Sequence, residues 1–471
     1  MRVVVIGAGL GGLECGYILA KNGCKVTILE QSPQIGGCIQ SYKRKGERFD
    51  TGFHCVGGLD KGEHLWRLFD YLNLNGLPWK PMDRDGFDRI VVGDEEYAIP
   101  VGHQAFAERL KYYFPKEKEH IDQYVALLKK VGDTIGSDAD LREKLLSASA
   151  YDYLHELFDD PTLIQVVSGA SMKLDLSAER LPLYSFLQIN DSYLRGAYRL
   201  AGGGETLTQH LADGIVAMGG EIITSACVKQ LHSNENSIDA VEVLLKNDDT
   251  FRIENPDFVI SSVNPSVTFS MLAGDFKLRP IYQRRIAKMP SSIGIFTASL
   301  VMKEGSFSYR NHNIYIHPEG DLWQRDGERV EDVMIHFAVP ENADAPCKID
   351  LMAPMKWDIV SSSGENYKHI KQQWLDEAVS IANGQLPSLR DNIAEAYTST
   401  PLTYHRYTGV EKGAAFGVER DWHNGIDSVI SARTPIRNLL LTGQNLMLHG
   451  VLGVTMTAFD TVSHIMKIDI P

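Results

Sequence analysis

A glycine pattern within the first thirty residues constrains the fold more than any other feature. The apolar run at 3–6 predicts a buried parallel strand, and residues 7–12, GAGLGG, follow it as GxGxxG. A helix over about 11–22 and a second strand at 25–29 complete a βαβ unit. Glu30 ends that strand, close to the spacing at which an acid binds the ribose hydroxyls of a dinucleotide. The sequence therefore predicts a Rossmann-type nucleotide site.

Each glycine of this pattern has its own physical reason. Gly7 allows the tight turn out of the strand, Gly9 lets a pyrophosphate approach the backbone, and Gly12 lets the helix pack closely on the sheet. Unpaired N–H groups at the helix N-terminus favour the phosphates. The carboxylate of Glu30 would repel a 2′-phosphate, which disfavours NADP. These residues alone leave FAD and NAD open.

The rest of the chain predicts an α/β protein of two interleaved domains, because 471 residues exceed one ordinary core. Helical periodicity dominates 103–135, 139–157 and 182–196. Strand-like segments of a second sheet lie near 291–301, 312–317, 332–339 and 349–353. We predict a nucleotide-binding domain made of residues 1–62, 200–288 and 415–471. A substrate domain of mixed sheet plus helices takes residues 63–199 and 289–414, with a helical region at 103–199.

Composition and missing motifs exclude several classes of protein. Lys and Arg number 47 against 61 Asp and Glu, and the resulting net charge of −14 argues against nucleic acid as a partner. The six cysteines form no CxxC pair, and no HExxH sequence is present, so no metal site is predicted. No signal segment precedes the first strand, and no apolar run could span a bilayer. We predict a cytoplasmic protein and leave peripheral membrane contact open.

Residues 28–58, ILEQSPQIGGCIQSYKRKGERFDTGFHCVGG, resemble the start of the phytoene desaturase, carotenoid isomerase and retinol saturase family. That family follows its ribose-binding Glu with a Gly-Gly pair and then an FDxGxH sequence. Residues 200–231 resemble its second FAD stretch, and residues 438–460 resemble its C-terminal flavin motif. The resemblance covers most of the chain. It implies FAD as cofactor and a fold of the glutathione-reductase type.

The same resemblance implies which residues contact FAD. Val228 would lie against the adenine through its backbone, and a helix starting near Gly450 would direct its N-terminus at the flavin's pyrimidine edge, where reduction places negative charge. The full implied set is Gly7, Gly9, Leu10, Gly11, Gly12, Glu30, Gln31, Gly37, Cys38, Val228, Gly443, Gln444, Gly453 and Val454.

One position departs from the family pattern. Cys38 stands where the family usually carries an Arg that can face the pyrophosphate, so the site loses a fixed cation. Lys43 and Arg44 are the nearby cations that could compensate.

Two residues are candidates for the chemistry. His54 follows from the FDTGFH match and should lie near the flavin, and Tyr407 belongs to the polar-aromatic cluster 404–407. A structural role is the alternative for both residues. No second GxGxxG follows a strand, so NAD(P)H as electron donor would have to enter the substrate cleft or act through another protein.

The resemblance implies an FAD-dependent oxidoreductase that desaturates or saturates C–C bonds of a long apolar polyene or isoprenoid-like substrate. One alternative is a redox-neutral cis–trans isomerase using reduced FAD, which only a product assay would separate. Another is an amine-oxidase-like flavoenzyme, which the FDTGFH and GVLGV segments fit less well. The last is a lipid-binding scaffold like the Rab dissociation inhibitors, disfavoured by the intact GxGxxG and Glu30.

Overall fold

The computed structural model describes residues 1–274, 276, 278–317, 320–342 and 345–468. Five parallel strands form a sheet, named here the parallel sheet. Across the sheet their order is Leu439–Leu441, Phe258–Ser261, Arg2–Ile6, Lys25–Leu29 and Glu221–Ile223. Strands that are far apart in the chain therefore pair side by side. This confirms the predicted α/β class with a Rossmann-type sheet.

Helices Leu10–Lys21, Gly203–Ala217 and Gly450–Ser463 pack together against the parallel sheet. Leu10 to Ala20 are all buried, because sheet and helices enclose this helix. A Cβ at Gly12 would strike the Gly7 carbonyl. The close helix–sheet contact therefore requires glycine at that position.

A second sheet of seven strands, named here the large sheet, carries the other half of the cavity described below. It is mixed, since Asp88–Val92 runs parallel to Asn313–His317 while the other neighbours are antiparallel. The strand order is Ile393–Ser399, Gly294–Met302, Lys348–Met355, Val333–Phe337, Asn313–His317, Asp88–Val92 and Glu95–Ile99. Helix Tyr367–Gln385 packs on this sheet.

Smaller sheets and short helices complete the chain. One sheet has four strands, Thr250–Glu254, Ser237–Leu245, Ala226–Asn234 and Leu272–Ala273. Two further sheets have two strands each: Ser41–Arg44 pairs with Glu47–Asp50, and Trp79–Pro81 pairs with Tyr198–Leu200. The short helices are Pro265–Ser270, Pro280–Lys288, Asp358–Ser361 and Pro401–Thr408.

The helical region differs from its prediction in two places. The segment expected at 103–135 is two helices, His103–Tyr113 and Lys118–Asp133, because Pro115 disfavours helical geometry at Phe114. The segment expected at 139–157 is also two, Ala139–Leu146 and Ala150–Leu157, and Ser149 caps the second. The remaining helices are His64–Tyr71, Pro161–Ser168 and Leu183–Leu194.

All five strands of the parallel sheet come from the three ranges predicted for the nucleotide-binding domain. The division into domains stays a prediction. Among the described residues, no helix combines the length and the apolar character needed to cross a membrane.

Candidate active site

A cavity of about 500 Å³, named here the main cavity, lies between the parallel sheet and the large sheet. Ile6 and Leu29, at the carboxyl ends of two parallel strands, form part of one wall. Ile295, Thr297 and Tyr315 of the large sheet form part of another. Ligands of open α/β sheets bind at such carboxyl ends, so this is the candidate active site.

Most residues of the implied FAD set line this one cavity. Those that do are Gly7, Gly9, Leu10, Gly11, Glu30, Gln31, Gly37, Cys38, Val228, Gly443, Gln444 and Val454. Gly12 and Gly453 are not among the lining residues. A Cβ at Gly453 would strike the Leu448 carbonyl, so these two glycines allow close packing behind the cavity wall.

The turn at Gly9 leaves open space beside the backbone. A Cβ built on Gly9 would meet no atom of the described chain within 4 Å. Gly9 is also the N-cap of helix Leu10–Lys21, and in the described structure no side chain caps that helix. Free N–H groups at a helix N-terminus bind anions. The site therefore has the shape and the polarity that a pyrophosphate needs.

Glu30 is held by the main chain. Its Oε2 accepts a hydrogen bond from the Ala8 N–H at 2.7 Å, and its Oε1 accepts one from the Ser32 N–H at 2.8 Å. Each carboxylate oxygen keeps a second lone pair for a ligand hydroxyl. The acid at the end of the second strand is thus fixed in position before any ligand binds.

We expect Glu30→Gln to weaken flavin binding by about 10- to 100-fold, because the amide nitrogen would face a backbone N–H and lose an acceptor. Titration of apoprotein with FAD, followed by flavin fluorescence, measures the change. Glu221→Gln is the matched control, since Glu221 is an exposed acid on the edge strand of the same sheet. Equal affinities for Glu30→Gln and wild type would contradict a ribose-binding role.

Cys38 lines the main cavity but cannot supply the charge of the family's Arg. Burial raises the pKa of its thiol to about 11, so the group is neutral. Lys43 and Arg44 do not compensate, because both are exposed on the Ser41–Arg44 strand and neither lines the cavity. Lys229, next to Val228, does line it. Sequence reasoning missed this cation.

His54 lines the main cavity, as its motif implied. Burial and the charge of Arg199 lower the pKa of its imidazole to about 4. The ring is therefore neutral at neutral pH.

Tyr407 lies outside the main cavity, with 55% of its surface exposed. Tyr404, one turn earlier in the same helix, lines the cavity instead. The Tyr404 hydroxyl forms hydrogen bonds with Thr297 Oγ1 at 2.8 Å and the Thr51 carbonyl at 3.2 Å. We therefore withdraw Tyr407 as the candidate.

The far end of the main cavity is largely apolar. Its lining there includes Met172, Ile295, Met334, Met352 and Tyr193. Such side chains suit an apolar ligand, because thioethers and aromatic rings adapt to its shape.

The apolar lining of the main cavity also includes a charged side chain. Lys173 lines the cavity and forms a buried ion pair with Asp88, and its Nζ lies 3.5 Å from the centre of the Tyr193 ring. Sequence reasoning missed this pair, because residues 88 and 173 meet only through the fold.

Comparison with known proteins fits this geometry. The family model for NAD(P)-binding Rossmann-like domains matches residues 5–72. All-trans-retinol 13,14-reductase of Danio rerio is 28% identical, over 99% of this chain and 86% of that protein. The chain is thus similar over nearly its whole length to a retinol reductase. The reductases and desaturases among its relatives confirm the predicted enzyme class, an oxidoreductase, and the Rossmann-like domain indicates a flavin-type dinucleotide cofactor.

A desaturase and a solved amine-oxidase structure are also similar to this chain. The 4,4'-diapophytoene desaturase of a Methylomonas species is 27% identical over 49% of this chain and 48% of that protein. Putrescine oxidase, solved with putrescine bound, has a TM-score of 0.64 at 17% identity, with 99% of each chain covered. The second similarity concerns the fold alone.

Proposed function

We propose that this protein uses FAD to saturate or desaturate a C–C bond of a long apolar polyene or isoprenoid-like substrate. The observation that carries the proposal is one continuous cavity. Its lining includes both the glycine turn with Glu30 and a methionine-rich apolar surface. The relatives named for retinol reduction and diapophytoene desaturation support the same substrate class.

The residues present fit FAD. The N–H groups after Gly9 would hold the pyrophosphate, Glu30 the adenosine ribose, and the Val228 backbone the adenine. Gly443 and Gly450 have φ values of +97° and +73°, a conformation that favours glycine and lets backbone approach a flat ring closely. When bound, FAD supplies reversible two-electron hydride chemistry.

The chain's own residues orient the substrate and handle its proton. In the described structure no side chain caps helix Gly450–Ser463, so its positive N-terminal end is available to stabilise negative charge in the cavity. The methionine-rich surface excludes water from an apolar substrate. His54 is the proposed proton-handling group, because it lines the cavity and is neutral.

The electron partner is part of the proposal. Sequence analysis gives a single GxGxxG turn after a strand, so NAD(P)H would enter the main cavity itself or act through another protein. We also propose that the protein works in the cytoplasm and collects its apolar substrate by peripheral contact with a membrane.

The visible absorbance spectrum of the purified protein tests the cofactor. We expect oxidised-flavin bands at near-stoichiometric level, followed by anaerobic reduction trials with NADH and NADPH and product analysis with all-trans-retinol. A protein that stays colourless after addition of FAD would overturn the proposal and favour a lipid-binding scaffold. Isomerised product without net redox would identify an isomerase, and turnover of amines with oxygen an amine oxidase.

A further inference from the structure

Three ionisable side chains meet behind the wall of the main cavity. His54, His336 and Asp350 each offer one nitrogen or oxygen atom, and these three atoms lie within 4.8 Å of one another. His54 lines the main cavity, while His336 and Asp350 are buried behind it. All three also line a second, smaller polar cavity, named here the rear cavity. His54 therefore separates the two cavities.

Hydrogen bonds fix the proton position on His336. Asn313 donates its amide N–H to Asp88 and accepts from Arg199 through Oδ1, so the orientation of its amide is determined. His336 Nδ1 lies 3.3 Å from that same Oδ1. The nitrogen must therefore carry the hydrogen, because Oδ1 can only accept. In the neutral ring, Nε2 of His336 then keeps its lone pair.

The other two groups, His54 and Asp350, are able to exchange protons. His54 Nδ1 is buried and has no hydrogen-bond partner among the described residues. Asp350 Oδ1 accepts from the Ser299 hydroxyl at 2.6 Å. Burial raises the pKa of Asp350 to about 7, so its carboxyl holds a proton below neutral pH. The spacing of up to 4.8 Å suits transfer through one bridging water.

The surrounding charges oppose a metal ion at this cluster, although two His and one Asp form a suitable ligand set. Arg199 is fully buried and donates to Asn313 and to the Phe337 carbonyl. Lys348, also buried, lines the rear cavity. Two cations beside a divalent ion would repel it strongly.

The rear cavity extends from the cluster to half-buried polar side chains. Its lining includes Asp50, which raises the pKa of Asp350, together with Arg48 and Lys348. Lys348 lies 3.6 Å from Glu341, whose side chain is 48% exposed. This polar lining suits proton movement better than the apolar surface of the main cavity does.

We propose that Asp350, His336 and His54 form a proton relay serving the main cavity. The relay rests on the proposed function. In the saturating direction, where the bound cofactor would supply a hydride to one carbon, the second carbon would take its proton from one nitrogen of His54. His54 would then take a proton on its other nitrogen from Nε2 of His336, which would first accept it there from the Asp350 carboxyl, leaving Asp350 as a carboxylate. Solvent then returns the proton to Asp350 through the rear cavity, and desaturation runs the steps in reverse.

The relay predicts that Asp350→Asn lowers the saturation rate of all-trans-retinol by dithionite-reduced holoprotein about 100-fold, with little change in KM. The wild-type rate should fall as pH rises through about 7, where Asp350 loses its proton, and the variant should lose this pH dependence. His54→Gln should be equally slow. Asp175→Asn is the matched control, because Asp175 is half-buried, its pKa is likewise raised to about 7, and it does not line the main cavity.

Nitrogen NMR of histidine-labelled protein tests the relay without turnover. We expect His336 to be neutral with its hydrogen on Nδ1, and the His54 resonances to shift in Asp350→Asn but not in Asp175→Asn. The relay would be overturned if the His54 resonances did not shift in Asp350→Asn, or if wild type and Asp350→Asn had equal rates. Absence of bound flavin, or no turnover of retinol by wild type, would instead count against the proposed function.

Discussion

Replacing Gly9 by alanine is expected to abolish tight flavin binding without unfolding the protein. The added methyl group would meet no atom of the described chain within 4 Å, and φ of −71° with ψ of 175° is allowed for alanine. The methyl would instead occupy the space through which a pyrophosphate reaches the helix N–H groups. We expect the Kd for FAD to rise by about 100-fold or more, equivalent to about 2.7 kcal/mol.

Gly12→Ala should give the opposite pattern. Its methyl would strike the Gly7 carbonyl, which is backbone and cannot move aside. We expect a loss of about 3 kcal/mol in the free energy of unfolding. Urea denaturation of the apoproteins and FAD titration separate the two effects, with Gly76→Ala as the control because it meets open space away from the cavity. Wild-type flavin content in Gly9→Ala would place the phosphates elsewhere.

Glu14→Gln should stabilise the protein at alkaline pH. Glu14 is fully buried in helix Leu10–Lys21, and its Oε1 lies 2.6 Å from Thr455 Oγ1 in the C-terminal helix. The same hydroxyl lies 2.8 Å from the Val451 carbonyl, so its single hydrogen is shared between two acceptors. Burial raises the pKa of Glu14 to about 8, so its carboxyl holds a proton at neutral pH.

The sign of the pH effect follows from that shift. Below pH 4.5, the ordinary value, both folded and unfolded states hold the Glu14 proton. Between 4.5 and about 8 only the unfolded state releases it, so stability falls as pH rises, by up to about 1.4 kcal/mol per unit. Glutamine mimics the protonated acid and removes this loss. We expect a gain of about 4 kcal/mol at pH 8 that vanishes near pH 4.

Urea denaturation of apoprotein across this pH range measures the effect. Glu156→Gln is the control, because Glu156 is an exposed acid on helix Ala150–Leu157. An identical pH dependence for wild type and Glu14→Gln would show that Glu14 is ionised in the fold.

Local signals made the N-terminal βαβ unit predictable. A strand, a glycine turn, a helix and an acid lie within thirty residues, and each feature constrains its neighbours. Signals of the same kind also mark helix ends elsewhere in the sequence. Pro115 marks the end of helix His103–Tyr113. Asp160, followed by a proline at the first helical position, marks the start of helix Pro161–Ser168.

Other parts of the site depend on contacts between distant segments. His54, His336 and Asp350 come from a loop and two strands of the large sheet, and no sequence spacing relates them. In the sequence, Glu14 is an ordinary acid within a helix. Only the fold shows that helix Gly450–Ser463 covers it. Periodicity predicts which face of an element is buried, but not what another segment places against that face.

The strand order of the parallel sheet has a consequence for synthesis. Residues 2–6 are made before the other strands of their sheet, which gains its edge strand, Leu439–Leu441, only after more than four hundred further residues are made. Helix Leu10–Lys21 is likewise covered only after helix Gly450–Ser463 has been made. Until then the nascent chain exposes an apolar strand edge and helix face, the surfaces that chaperones bind and that aggregate when left uncovered.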